Sequence, residues 1–153
     1  MNDEIMEGLL LINGVDIWTE FSAWLAEEKE GETTNYSALL KPPAAKAQVA
    51  VSFREDDGEK LPEDLGQKWE ARDVTLKFAI AAPTRAAFIE RRNAFVAFLK
   101  AGDKGWLSMA VTELGRTYRI YYRECGNYTH FQDTGGSVAG LFTIKFREPD
   151  PEL

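Results

Sequence analysis

The most constraining feature of this sequence is one helical pattern in a chain whose other apolar residues mostly alternate. Phe88, Phe95 and Leu99 recur at helical spacing, so they share one face of a helix. Thr84 is a suitable N-cap, and the pattern predicts a helix from about Thr84 to Lys100. The apolar face is broad, which is typical of a helix that lies across a β-sheet.

Strands are predicted on both sides of this helix. Before it, residues 70–80 alternate polar and apolar side chains, as a half-buried strand does. After it, residues 105–111 read Gly-Trp-Leu-Ser-Met-Ala-Val and predict another strand. No glycine-rich turn or polar cluster stands at either junction, so the helix is predicted to brace a sheet rather than to frame a ligand site.

The N-terminal half of the chain predicts strands and two long loops. Asn13-Gly14 is typical of a two-residue hairpin turn. Residues 21–30 fit a helix or a strand, and their alternation favours a strand. Pro42-Pro43 excludes regular structure around it. The predicted strands are residues 8–12, 15–18, 21–30 and 48–54, and the predicted loops are residues 31–47 and 55–68.

The C-terminal part predicts further alternating strands. They are residues 116–125, a short strand at 127–131, and 137–147. In the first of these, Tyr118 and Ile120 face one way, whereas Arg119 and Tyr121 face the other. Alternating strands joined by turns are typical of antiparallel sheets with one solvated face. The predicted fold is mainly β, an antiparallel β-sandwich or partly closed barrel with one α-helix packed across it, in a single domain of residues 1–153.

Composition restricts the possible partners and compartments. The net charge of −7 disfavours a nucleic-acid partner, because phosphate binding requires clustered Lys and Arg. Cys125 is the single cysteine, so no intrachain disulfide is possible. The N-terminus is acidic and the apolar run at residues 9–12 is short, so neither a signal peptide nor a membrane-spanning helix is expected.

Candidate chemical motifs are weak throughout the sequence. His130 is the single histidine, which leaves a triad or a His-based zinc site without further ligands. The acidic run 55–59 fails the EF-hand pattern, because Phe53 would occupy its first ligand position; an irregular cation site is the less favoured reading of that run. We therefore predict no catalytic, cofactor-binding or metal-binding residues and no enzyme activity, although a pair of carboxylates in a hydrolase is a structural question that sequence leaves open.

Aromatic residues exceed what one small core requires, with four Trp, five Tyr and nine Phe. Most are expected in the core or on sheet faces, and those on outer faces suit an interface between subunits. The two predicted long loops are expected to contact adjacent subunits as well. The residues predicted for this interface are Tyr36, Leu39, Leu40, Leu61, Leu65, Trp106 and Tyr121.

Three stretches together resemble the N-terminal domain of the distal tail proteins of siphovirus-type bacteriophages. The first is the opening Leu-Leu-Leu-Ile-Asn-Gly-Val-Asp-Ile at residues 9–17. The second is the strand at 72–80 with its single helix and the strand at 106–111. The third is the ending at 142–151, which contains Phe-Arg-Glu-Pro-Asp-Pro. The resemblance covers nearly the whole chain, but the predicted loop 31–47 has no counterpart motif.

The resemblance implies a β-sandwich with one helix that assembles as a homo-oligomer, a hexameric ring at the tail tip. Such a ring connects the tail tube to baseplate or tail-tip proteins, which implies a structural virion protein made in the bacterial host cytoplasm, whether from a phage or a prophage. It implies other phage tail proteins as partners and no nucleic acid, membrane or cofactor. Many family members continue into a second domain, so a receptor-proximal role is not expected for a chain that stops at Leu153.

Two alternatives remain open at this point. A tail tube or tail terminator subunit also builds rings from β-sandwiches with a helix. From a different class, a small carbohydrate- or ligand-binding β-sandwich would use exposed aromatic rings as stacking platforms.

Overall fold

A computed structural model describes residues 7–27 and 31–151 of the chain. Within these residues, seven strands form one antiparallel sheet in the order β2-β1-β5-β6-β7-β4-β3. The strands are β1 (Leu10–Ile12), β2 (Val15–Asp16), β3 (Ala23–Leu25), β4 (Arg72–Ala82), β5 (Trp106–Val111), β6 (Arg116–Gln132) and β7 (Val138–Glu148). The helices are α1 (Ile17–Phe21), α2 (Thr34–Leu40) and α3 (Arg85–Ala101), with a 3-10 turn at Thr112–Leu114.

The longest uninterrupted strand pairing in the sheet is β4–β7. Eleven residues of each strand are in register, from Arg72 opposite Glu148 to Ala82 opposite Val138. Side chains alternate along both strands, so the apolar row of each strand lies on the face covered by α3. The remaining side chains lie on the opposite face of the sheet, here named the outer face. The fully buried side chains of this core include Phe78, Phe88, Phe95, Phe146, Leu76 and Met109.

The long helix α3 covers the core face, as the sequence predicts. Thr84 Oγ1 accepts a hydrogen bond from the Ala87 N–H, which caps the first turn. Phe88, Phe95 and Leu99 are buried, and Gly102 ends the helix with a positive φ. Arg92 of this helix is half-buried, and its guanidinium lies over the Tyr128 ring at 5.7 Å.

The sheet curves so that its two edges approach each other. The short helix α1 directly joins β2 to β3, the strands at opposite ends of the strand order. A small apolar gap between the edges is lined by Leu10 on one side and Leu25 on the other. The sheet is not closed. The predicted mainly β, antiparallel class with one helix across the sheet is therefore confirmed, and its form is one curved, open sheet rather than the two packed sheets of a sandwich.

Several predicted boundaries are also confirmed in the described residues. The hairpin β1–β2 turns at Asn13 and Gly14, which both have positive φ, as the Asn-Gly pair predicts. The strand expected in residues 21–30 is β3, although Phe21 ends α1 and residues 28–30 lie outside the described residues. The acidic residues 1–6 lie outside them too.

Four predictions for the loops and strands are wrong. The strand expected at residues 15–18 ends at Asp16, because the Asp16 side chain accepts from the Trp18 N–H and caps α1. Residues 31–47 contain α2, a seven-residue helix that packing on β4 stabilises and that propensity alone would not. Residues 48–54 are not a half-buried strand, because no element packs on them and Val49 is 87% exposed. The separate strands expected at 116–125 and 127–131 are one strand, β6, with bulges between Tyr122 and Asn127.

Gly140 of β7 allows α3 to pack closely against the sheet. A Cβ atom at this position would lie 2.7 Å from Phe88 Cζ and 3.0 Å from the Tyr128 ring. Gly140→Ala is therefore expected to lower the free energy of unfolding by about 1–3 kcal/mol through overpacking. Urea denaturation measures this change.

The matched control for this substitution is Gly126→Ala in β6. Its Cβ would meet only the Thr143 carbonyl oxygen at 3.7 Å, an ordinary contact, so little change is expected. Equal losses in the two variants would show that steric conflict at Gly140 does not constrain the helix.

Candidate interaction surface

The largest exposed feature is a projecting ribbon formed by residues 44–70, here named the arm. Its two limbs are joined by few backbone hydrogen bonds. The Glu70 N–H donates to the Ala44 carbonyl (2.7 Å), and Val51 and Lys60 exchange a pair of bonds (3.0 and 2.6 Å). Every arm residue except Gln48 is exposed. The arm therefore leaves the body of the domain without packing against it.

The arm contains most of the large hydrophobic side chains that are exposed in the described chain. Ten large hydrophobic side chains are exposed in that part of the protein, and six of them belong to the arm: Val49, Val51, Phe53, Leu61, Leu65 and Trp69. A concentration of exposed apolar side chains in one segment is typical of a protein interaction site. The segment 55–64 at its tip adds six carboxylates and one lysine.

Arg72 anchors the base of the arm to the body. Its Nε donates to the Glu148 carboxylate at 2.6 Å, and its guanidinium nitrogens donate to the carbonyls of Ala38 (3.2 Å), Leu39 (2.8 Å) and Lys41 (2.5 Å). The Glu148 side chain is 4% exposed and that of Arg72 is 13% exposed. This one side chain thus satisfies the C-terminal carbonyls of α2 and fixes the point where the arm begins.

Asn35 attaches α2 to the sheet beside the arm. Its side-chain nitrogen donates to the Ala26 carbonyl (2.8 Å), and its side-chain oxygen accepts from the Lys77 N–H (2.7 Å). The Glu27 carboxylate accepts from the Asn35 N–H at 2.9 Å. These bonds hold α2 against the edge of β4, next to the base of the arm.

The outer face of the sheet carries a basic cluster. The basic face, as we name it, consists of Arg119, Arg123, Lys145 and Arg147 with two carboxylates, Asp73 and Glu124. Arg147 and Arg123 both donate to Asp73, at 3.1 and 3.3 Å, and Lys145 lies 3.3 Å from Glu124. Four cations thus face two carboxylates, which leaves this surface positive.

The charges around Asp73 shift its titration. The hydrogen bond from Arg147, with smaller contributions from the charges of Arg147 and Arg123, lowers the pKa of Asp73 although slight burial opposes the shift. A carboxyl whose pKa is lowered by folding contributes stability above its ordinary pKa, and this contribution is lost as the pH falls through the lowered value. The arginines of the basic face therefore stabilise the ionised form of Asp73.

Aromatic rings border the basic face. Trp106 and Tyr121 are cross-strand neighbours whose rings meet edge to face, with centroids 5.8 Å apart. The Arg119 guanidinium lies 4.2 Å from the centre of the Trp106 ring. Both aromatic side chains are half-buried. The combination of Trp, Tyr and Arg is the composition found at protein interfaces.

A separate groove opens at the end of the sheet where β4 stops and β7 starts. Its volume is about 770 Å³. Trp18, Trp24 and Phe131 supply aromatic surface, and Arg91 and Asp133 supply polar groups. A groove of this size and composition could accept a small ligand.

The predicted interface residues lie in different environments. Leu40, Leu61 and Leu65 are exposed on or beside the arm, whereas Trp106 and Tyr121 border the basic face. Tyr36 is half-buried against the core. Leu39 is 2% exposed and belongs to the core, so we leave it out of the interface proposed below. Leu39 is buried because it lies in α2 and packs in the core, whereas the sequence predicted a loop at this position.

Sequence reasoning missed the residues that position these surfaces. Arg72 and Glu148 are far apart in the chain, and the only sequence signal for their pairing is a charge at the end of each of two strands that must pair in register. Asn35 stood in a segment predicted to be a loop, where an amide gives no signal.

No catalytic arrangement emerges from the described side chains. His130 contacts the Phe88 ring at 5.4 Å and lies 3.0 Å from the Tyr128 hydroxyl. In residues 7–27 and 31–151, no three His, Cys, Asp or Glu side chains converge as metal ligands would. The helices of this part of the chain are too short or too polar to cross a lipid bilayer.

No protein-family model and no curated protein sequence matches the chain. Among solved structures, it is similar to the crystal structure of the Dit protein of phage SPP1, described as a paradigm of the hub adsorption apparatus in phages that infect Gram-positive bacteria. The TM-score is 0.51 at 15% sequence identity, and the match covers 95% of this chain and 53% of that chain. The chain thus spans about half the length of that protein. At this identity the similarity concerns the fold, and it agrees at that level with the resemblance to distal tail proteins.

Proposed function

We propose that this chain is a structural component of a phage or prophage tail, which forms a ring at the distal end of the tail and joins the tube to baseplate or tail-tip proteins. The observation that carries the proposal is the projecting apolar arm on a fold similar to that of a phage hub protein. In a monomer the apolar side chains of the arm stay exposed to water, which is unfavourable, whereas in a ring they are buried between copies. In this proposal the chain acts in the virion tail and has no catalytic role.

The arm and the aromatic border of the basic face are the surfaces we assign to subunit contacts. They contain Leu61 and Leu65 on one side and Trp106 and Tyr121 on the other. Because the two surfaces differ, a contact between them is heterologous, and heterologous contacts close into rings when the rotation per subunit permits. Six copies are the number that the resemblance to distal tail proteins implies.

The oligomeric state tests this proposal directly. Native mass spectrometry and light scattering of the purified chain, over a wide concentration range, are expected to show a closed oligomer, a hexamer at high concentration. A tail tube subunit would instead polymerise into open tubes. A chain that stays monomeric at every concentration, and also in the presence of its neighbouring tail proteins, would refute the proposal.

A ligand-binding module is the second candidate, because the groove lined by Trp18, Trp24 and Phe131 offers aromatic stacking surface. The same preparation distinguishes it from the ring. A strict monomer whose melting temperature rises with an added glycan supports the binding module, and loss of that rise in Trp24→Ala locates the site in the groove.

A further inference from the structure

We infer that the arm of one copy docks on the basic face of the next copy, with its acidic tip against the arginine and lysine side chains of β6 and β7. This inference rests on the proposed ring and specifies the contact that builds it. The occupant of the basic face is therefore a second copy of this chain.

Charge complementarity is the first argument for this contact. The tip segment 55–64 carries six carboxylates and one lysine, a net charge of −5. The basic face holds four cations and two carboxylates, a net charge of +2. The tip cannot neutralise itself, and none of its carboxylates takes part in an ion pair within the described residues. Opposed potentials of this kind orient partners and select the docking register.

The apolar parts of the two surfaces are complementary as well. Val51 and Phe53 are exposed on the limb that leads into the acidic tip. On the other surface, Trp106 and Tyr121 lie directly beside Arg119. An apolar limb that ends in carboxylates thus matches an aromatic border that leads to cations. Buried aromatic anchors with a charged rim are the usual anatomy of a stable protein interface.

The dimensions of the arm allow it to reach a neighbour. Each limb, residues 44–56 and 58–70, extends at most about 40 Å at the rise of a β-strand. This is comparable with the diameter of a domain of this size, about 30–40 Å. Arg72 fixes the base of the arm, so its direction is preset before docking and less entropy is lost on binding.

Charge reversal on each surface tests the inference. The tip-reversed variant is Asp56→Lys/Asp57→Lys/Glu59→Lys, which changes the net charge of the tip from −5 to +1, and the face-reversed variant is Arg119→Glu/Lys145→Glu, which changes that of the basic face from +2 to −2. Each alone is expected to weaken self-association at least about tenfold, because like charges then oppose each other in every contact. An equimolar mixture is expected to associate again, since alternating copies present only opposite charges to each other. Sedimentation velocity at low salt measures all three samples.

The control is Glu20→Lys/Glu90→Lys/Asp150→Lys, which changes the net charge by the same amount as the tip-reversed variant at exposed sites on α1, on α3 and after β7. It is expected to associate like the unmodified chain. Circular dichroism checks that every variant is folded.

Weakening by both reversals with recovery in the mixture supports the inference. Normal assembly of the reversed variants, weakening by the control to the same extent, or no recovery in the mixture overturns the docking contact and leaves the proposed ring intact. An unmodified chain that never associates refutes the ring and the contact together.

Discussion

Replacing Arg72 by alanine is expected to lower the free energy of unfolding by about 3–5 kcal/mol, the largest single effect on stability that we predict. The substitution leaves the Glu148 carboxylate buried without its cation and removes the donor for three carbonyls at the end of α2. A buried, unpaired charge costs far more than the lost attraction itself, because the carboxylate has been taken out of water.

Urea denaturation followed by circular dichroism measures the loss. The informative control is Arg72→Met/Glu148→Leu, which removes both charges and fills a similar volume. It is expected to recover the part of the loss that comes from the buried charge, since an apolar pair of matched size leaves no unpaired carboxylate, whereas the three carbonyls of α2 still lack their donor. A loss below about 1 kcal/mol in Arg72→Ala would mean that the pair is solvated and does not anchor the arm.

Arg123→Ala offers a comparison on the surface. This arginine also pairs with a carboxylate, Asp73 at 3.3 Å, but both side chains are exposed. Its removal is expected to cost about 0–1 kcal/mol, the range of exposed ion pairs. The contrast with Arg72 measures what burial and the three carbonyl bonds together add to an ion pair.

Removing the arm is expected to abolish self-association and to leave the domain folded. Residues 44–70 can be replaced by a linker of about four Gly and Ser residues, because the Ala44 carbonyl and the Glu70 nitrogen lie only 2.7 Å apart and a chain that short spans the gap. The arm residues are exposed, so their loss removes little buried apolar surface, and we expect the melting temperature to change by no more than a few degrees.

Light scattering at high protein concentration measures the association of this variant, and thermal denaturation measures its stability. The matched comparison is Val49→Ser/Phe53→Ser, which keeps the arm and removes two exposed apolar side chains. It is expected to weaken association only partly. A variant without the arm that still forms the closed oligomer would refute the assignment of the arm to subunit contacts.

The alternation of residues 48–54 shows where sequence reasoning reaches its limit. Val49, Val51 and Phe53 have the spacing of a half-buried strand, yet all three are exposed in the arm. Residues 142–146 have the same spacing, and there the predicted strand is correct and buried. Local spacing specifies an extended backbone with one apolar side in both cases. What covers that side depends on elements elsewhere in the chain.

The buried polar contacts show the same limit for a different reason. The bond from Arg72 to Glu148 joins residues at the ends of strands that are paired over eleven residues, so any slip in register would separate them. Asn35 becomes buried only because α2 packs on the edge of β4. These side chains acquire partners from the register and packing of distant segments, which no local pattern encodes.

Local sequence signals were enough to predict the capped helix α3, the Asn-Gly hairpin turn, the alternating strands β4 and β7, and an antiparallel, mainly β class. These follow from backbone preferences and from side-chain periods of 3.6 and 2. Three features depend on tertiary contacts: α2 covers a sheet edge, residues 44–70 project as an arm, and Arg72 fixes the base of that arm. The physical reason is that burial and charge pairing depend on which distant segments meet, and chain folding alone brings those segments together.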